Sequence, residues 1–151
     1  MTSGKAMIYR AGGVPPLPGD PRSVRARKRE HAVQVRFALA GEVVPTREGP
    51  VTAYVGDAIV TGAAGEQWPV RPKTFASRYR PLPPLAAGEP GTYLGLPIEV
   101  LALRMDHPFA VALPDGACLA GQPGDWLLDY GDGSLAIVAA TIFSMTYDLV
   151  S

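Results

Sequence analysis

A single cysteine, Cys118, stands in 151 residues. No intramolecular disulfide can form, and this cysteine usage points to a reducing, cytoplasmic compartment. Histidine is almost as scarce. His31 and His107 stand far apart, without the paired spacing that a zinc site needs, so neither a metal nor a cofactor is expected. No apolar run approaches the ~20 residues of a membrane-spanning helix, and no apolar segment follows the first basic residues as a secretory signal requires. A membrane partner is therefore not expected. The signatures of catalysis are also missing. There is no G-x-S-x-G nucleophile turn. Gly62-Ala63-Ala64-Gly65 lacks the Lys-Ser/Thr of a phosphate loop, and Asp129-Tyr130-Gly131-Asp132-Gly133 is not followed by the Glu that closes a calcium loop. These absences favour a protein that binds over one that catalyses.

What is abundant is punctuation. Sixteen Pro and 17 Gly argue for short elements and many turns, and against long helices. Against that background one pattern is written twice, 68 positions apart. Gly56-Asp57 recurs as Gly124-Asp125, Gly65 as Gly133, Phe75 as Phe143 and Tyr79 as Tyr147. Such self-similarity is the mark of a duplicated unit. The expected fold is β-rich α+β: two tandem, pseudo-symmetric copies of a small antiparallel sheet unit, each ending in a short helix.

Hydrophobic periodicity fills in the plan. Val33, Val35 and Phe37 alternate with Gln34 and Arg36, the period of a half-buried strand. Val43–Thr46 and Val51–Tyr54 flank Arg47-Glu48-Gly49 as a hairpin. Ala58–Thr61 and Glu66–Val70 flank the Gly62–Gly65 turn, and Pro69 marks the second of these as a sheet edge or a bulge. Pro72 opens a short helix that sets Phe75 and Tyr79 four apart on one face. In the second copy Glu99–Arg104 matches His31–Arg36 without a gap, placing Arg104 where Arg36 stood. Hairpins follow at Pro114-Asp115-Gly116 and Gly131-Asp132-Gly133, then a helix from Ala139 to Tyr147. The resulting division is an extended, basic and Pro-rich leader over 1–30, repeat units over 31–80 and 98–151, and a Pro/Gly-rich linker over 81–97. Met7-Ile8-Tyr9 forms an apolar island in the leader that can dock on the core. Net charge is zero overall, yet residues 1–90 hold 13 Lys/Arg against 7 Asp/Glu and residues 91–151 hold 1 against 7. Two separate lobes would then make a strong dipole, able to draw an anionic partner or a second copy of the chain.

Gly-Asp-aromatic-hydrophobic, Gly-Glu-x-aromatic-Pro-Val and a Phe-x-x-x-Tyr ending together resemble the small bacterial and phage-encoded proteins named for a PGDYG motif. The copies divide the pattern. The first keeps Gly65-Glu66-Gln67-Trp68-Pro69-Val70 with Ala58 in the aromatic position, and the second keeps Pro123-Gly124-Asp125-Trp126. The resemblance covers roughly 27–80 and 98–148 and implies a compact fold without assigning an activity.

If a site lies along the Glu-bearing strand, the first copy carries it. The binding candidates are Glu66, Gln67, Trp68, Arg71, Lys73 and Arg78, with Trp68 as an exposed aromatic anchor flanked by arginines, the usual make-up of a contact hot spot. Asp57 and Asp125 fit turn caps that accept backbone amides better than they fit acids. The leading reading is a non-enzymatic interaction protein whose partner is another protein or itself. Two alternatives stand beside it. One is nucleotide or nucleic-acid binding through the basic residues 22–36. The other is a small hydrolase or ligand-sensing module with a site between the two copies, resting on Glu66 and Asp57.

Overall fold

The computed structural model of the chain describes residues 7–150. The first six positions of the expected leader, and Ser151, lie outside the described residues. In chain order the elements are β1 (Met7–Arg10), β2 (Val24–Lys28), β3 (His31–Phe37), β4 (Glu42–Thr46), β5 (Gly49–Ala53), β6 (Ala58–Thr61), β7 (Gln67–Val70) and α1 (Pro72–Arg78). They continue as β8 (Tyr79–Pro81), β9 (Gly91–Gly95), β10 (Glu99–Arg104), β11 (Phe109–Ala112), β12 (Cys118–Gly121), β13 (Trp126–Asp129), β14 (Leu135–Val138), α2 (Ala140–Thr146) and β15 (Tyr147–Val150). The chain divides into two compact units, one of residues Arg29–Ile98 and the other of Met1–Lys28 with Glu99–Ser151.

In the Arg29–Ile98 unit a five-stranded sheet runs in the order β7-β6-β3-β9-β8, and β4 and β5 form a separate hairpin. All its neighbouring strands are antiparallel. The alternation in β3 works as its sequence demands, with Val33 and Val35 buried among Val60, Val70, Phe75, Tyr79 and Tyr93. Pro69 sits on edge strand β7, where a missing N–H costs no ladder bond. Pro45 and Pro50 are register partners across the β4–β5 hairpin, a pairing that suits a rung without mutual hydrogen bonds. Phe75 stacks on Tyr79 with ring centroids 5.0 Å apart, but α1 ends at Arg78 and Tyr79 takes the extended backbone of β8, so the pair expected on one helix face forms across the end of the helix.

The other unit is also built on a five-stranded sheet. Its sheet runs β14-β13-β10-β2-β15, and a smaller sheet runs β1-β11-β12 with β1 parallel to β11. Its core gathers Leu17, Leu103, Met105, Phe109, Val111, Leu127, Leu135 and Ile137. On the helix side, Trp126, Phe143 and Tyr147 form a stack with successive centroids 4.0 and 5.0 Å apart.

Three expectations are corrected here. Within the stretch expected as a leader, residues 7–30 are built into the fold: β2 lies between β10 and β15, Ala26 is buried, and Leu17 is in the core. Its Pro15–Pro21 segment is irregular, as its prolines require, while Tyr9 of β1 packs edge-on to Phe109. Nor is 81–97 only a linker. β9 crosses it between β3 and β8, and buried Tyr93 donates its hydroxyl to the Glu89 carbonyl at 2.8 Å. The charge gradient between lobes also disappears. Because the basic β2 segment joins the acidic C-terminal residues, the unit of 1–28 with 99–151 holds 7 Lys/Arg against 8 Asp/Glu, and the unit of 29–98 holds 7 against 6.

The ungapped match of β3 to β10 slips by one residue. Ala58 pairs with Phe37, while Trp126, 68 positions later, pairs with Arg104. Arg104 therefore corresponds to Phe37, and Arg36 to Leu103. The offset changes at the hairpins. β4 and β5 close with Thr46 opposite Gly49, whereas Leu113 bonds Ala117 across a turn one residue longer.

Glu99 ties β2 to β10, accepting from Arg27 at 2.7 Å and from Arg25. These hydrogen bonds, Arg27's first, hold its carboxyl below the ordinary glutamate value of 4.5. A lowered folded pKa contributes stability that is present above the unfolded value and lost as pH falls through the folded one. We therefore expect Glu99→Gln to flatten part of the stability loss below about pH 4.5, measured by urea denaturation across pH. An unchanged acid limb would contradict the role of this pair.

Candidate functional site

The best-organised polar cluster in the Arg29–Ile98 unit is built on Asp57. Gly56, at φ 89°, turns the chain out of the β5 side and into β6, a conformation that favours glycine. The turn is locked by the Asp57 amide donating to the Tyr54 carbonyl at 2.9 Å and by the Tyr54 amide donating to Asp57 Oδ2 at 2.9 Å. Asp57 is buried, and its other oxygen accepts from Arg71 Nη1 at 2.7 Å. The Arg71 guanidinium lies 5.1 Å from the centroid of the Tyr54 ring, an arrangement that adds cation–π attraction to the ion pair. Arg71 is the N-cap residue of α1, so this cluster also fixes where the helix begins. Asp57 is thus a turn cap, and Asp125 repeats the role by accepting the Gln122 amide at 2.9 Å.

Around this node lie the most exposed apolar side chains of the unit. Leu39 is 92%, Val55 68%, Val43 63% and Tyr54 44% exposed. They share one end because the Gly56 amide donates to the Ala38 carbonyl, and Ala38's to Asp57, joining the β3–β4 and β5–β6 connections. Val43 follows on β4, whose partner β5 leads directly into Tyr54. Arg36, on the strand before this connection, makes a two-pronged pair with Glu42 at 3.0 and 2.6 Å. That pair holds the Glu42 carboxyl below the usual carboxylate range.

The six residues expected from sequence do not form one site. Glu66 folds back over its own turn, where Oε1 accepts the Ala64 amide at 3.0 Å and the carboxylate fills the space beside Gly62. Gln67 bonds its cross-strand neighbour Thr61 at 3.2 Å. Trp68 is not an exposed anchor: it is half-buried and packs against the core of its unit. Arg71 belongs to the Asp57 node, Lys73 is exposed in the first turn of α1, and Arg78 is half-buried in its last turn. Nor do Glu66 and Asp57 form a catalytic pair. They lie at opposite ends of the β6–β7 hairpin, roughly 16 Å apart at the rise of an extended strand.

The apolar end was missed because Leu39, Val43 and Val55 read as ordinary strand and loop residues. A signal lay in positions 68 apart: Tyr54-Val55 precedes Gly56 where Gln122-Pro123 precedes Gly124, and Ala139 stands 68 residues after Arg71. The basic stretch 22–36 is divided between the units, and its arginines meet carboxylates. Arg22 bonds Asp20, Arg25 and Arg27 bond Glu99, and Arg36 bonds Glu42. Among the described residues no group of three or more His, Cys, Asp and Glu side chains could hold a metal ion, and no helix is long and apolar enough to cross a membrane.

A family model described as PGDYG protein matches residues 49–148. The match runs from β5 into β15 and passes without a break across 81–97, the stretch that contributes β9. No curated protein and no solved structure gives a significant match.

The environments rank the substitutions. Asp57→Ala removes the cap of a buried turn and is expected to cost about 2–3 kcal/mol. Trp68→Ala, which opens a half-buried contact, is expected to cost about 2 kcal/mol. Glu66→Gln keeps an acceptor for Ala64 and should stay within about 0.5 kcal/mol of wild type. Urea midpoints check the order, and a neutral Asp57→Ala would contradict it.

Proposed function

The chain belongs to the PGDYG protein family, and from that premise we propose that it is a non-enzymatic interaction protein built from two diverged copies of one unit. In this reading a partner protein is held at the Tyr54–Arg71 end of the Arg29–Ile98 unit. Support for the duplication comes from local geometry repeated 68 positions apart. Pro72–Arg78 and Ala140–Thr146 are both seven-residue helices. Gly56 and Gly124 take φ of 89° and 94°, and each precedes a buried Asp that caps its turn. One exchange is compensated across a strand pair. Phe37 opposite Ala58 supplies a ring against Phe75, whereas Trp126 opposite Arg104 supplies it against Phe143.

The observation that carries the functional reading is the gathering of Leu39, Val43, Tyr54 and Val55 in water around an arginine already fixed in place. A feature needed for folding should recur in both copies, as the Gly-Asp turn and the Phe/Tyr face do. This patch does not recur: the matching positions are Asp106, Ala110, Gln122 and Pro123, with Ala139 for Arg71. Aromatic and Arg side chains that are held before binding lose little entropy on contact, which suits a hot spot. Tyr54 replaces Trp68 as the aromatic of the surface. The nucleic-acid reading is less favoured, since four arginines of 22–36 are already matched by carboxylates.

A photo-crosslinking side chain placed at Val55 in the native host tests this. It should form a discrete adduct with a protein, either a second copy or another chain, and Leu39→Asp should abolish that adduct without lowering Tm by more than about 3 °C. The same group at exposed Ala64 should form none. Equal labelling from both positions, no protein adduct from Val55, or an adduct indifferent to Leu39→Asp would overturn the assignment.

A further inference from the structure

The unit formed by 1–28 with 99–151 carries a separate cleft of about 170 Å³, lined by Arg22, Val24, Leu103, Arg104, Met105, Asp106, His107 and Trp126. Its cations differ in how they are engaged. Arg22 is bound through Nε and Nη2 to Asp20 at 3.2 and 2.9 Å. His107 Nδ1 is 2.7 Å from Asp106 Oδ1, a bond that holds the Asp106 carboxyl below its usual range. The Arg104 side chain makes no hydrogen bond or ion pair with any described residue, and the same is true of the Trp126 indole N–H. The two residues are cross-strand partners on β10 and β13, which sets their side chains on the same face of the sheet. The position corresponding to Arg104 in the other unit is Phe37, which spends its side chain on packing against Phe75 and Tyr93. With Trp126 supplying the ring over Phe143, nothing in the packing of the sheet calls for Arg104.

We propose that this cleft binds a small monocarboxylate, with Arg104 as the charge partner and the Trp126 N–H as a second donor. Arg22 is already paired with Asp20, and the Asp106 carboxylate of the lining is engaged by His107, so Arg104 is the one lining guanidinium without a carboxylate partner, which favours one negative charge over two. Val24, the exposed apolar side chain among the lining residues, suits an apolar body on the carboxylate. The volume equals roughly six waters, enough for a carboxylate and the first atoms of its body, the remainder projecting through the open side. An arginine meets a carboxylate with two parallel hydrogen bonds, a geometry that a neutral amide of the same shape cannot reproduce.

The chain's two tryptophans provide an internal control. Benzoate titrated into the full-length protein, followed by the two indole N–H signals in an ¹H–¹⁵N spectrum, should move the Trp126 signal saturably and leave the Trp68 signal in place. Benzamide and inorganic phosphate should each bind at least tenfold more weakly. Arg104→Met, at an exposed position, should weaken benzoate by about ten- to a hundredfold. The proposal fails if neither indole responds, if both drift together, if benzamide or phosphate equals benzoate, or if Arg104→Met binds as wild type does.

Discussion

A strand inside a sheet must find hydrogen-bond partners along both edges, because buried N–H and C=O groups left without partners are costly. Both units meet this demand beside their central strand with a segment that looks unstructured in sequence. In one unit β9 fills the place between β3 and β8, and in the other β2 fills the place between β10 and β15. Remove either segment and two ladders open, together with the cover over Val33 and Val35 or over Val100 and Ala102. The irregular turns, the short helices and the hairpins are arranged around these two closing strands. The contiguous unit takes its closing strand from its C-terminal end, whereas the divided unit takes it from the N-terminal part of the chain.

This constraint also explains which parts of the fold were legible. Period-two alternation revealed β3, and Gly-Asp turns and proline positions revealed the hairpins and the edge strand β7. The Phe-x-x-x-Tyr spacing revealed both helices, although Tyr79 and Tyr147 lie just past their ends in extended backbone. β2 was hidden because Val24-Arg25-Ala26-Arg27-Lys28 offers one small buried side chain between guanidiniums. β9 was hidden because Tyr93 stands between glycines in a Pro-rich stretch. Ala26 needs no bulk, since its strand is flanked by two others, and Arg25 and Arg27 are accommodated by Glu99, which only the pairing register brings opposite them. The slip between Arg36 and Arg104 was invisible for a related reason. One extra residue in a hairpin shifts a strand without disturbing the anchors on either side.

The candidate sites were less legible still, because long-range contact decides whether a polar residue is available. Glu66, Gln67 and Arg71 are each committed within the β6–β7–α1 segment, while the apolar end near Tyr54 forms only when two distant connections meet. Comparison of the two units then shows which features they share and which they do not. The buried aspartates, the positive-φ glycines and the stacked Phe/Tyr pair recur. Leu39, Tyr54 and Arg71 occur in one unit, and Arg104 beside Trp126 in the other. Exposed apolar surface held around a fixed arginine costs solubility and adds nothing to the core, and that imbalance is what supports the proposed contact surface.

The most direct test of the closing-strand account is native-state hydrogen exchange at Ala26, whose backbone lies between β10 and β15. The account predicts that its amide exchanges with the slowest class, alongside Leu128 in the same sheet, since both open only when the unit unfolds. Exchange at Ala26 within about tenfold of an unprotected peptide, with Leu128 still protected, would show that β2 is a dispensable attachment and would contradict the account.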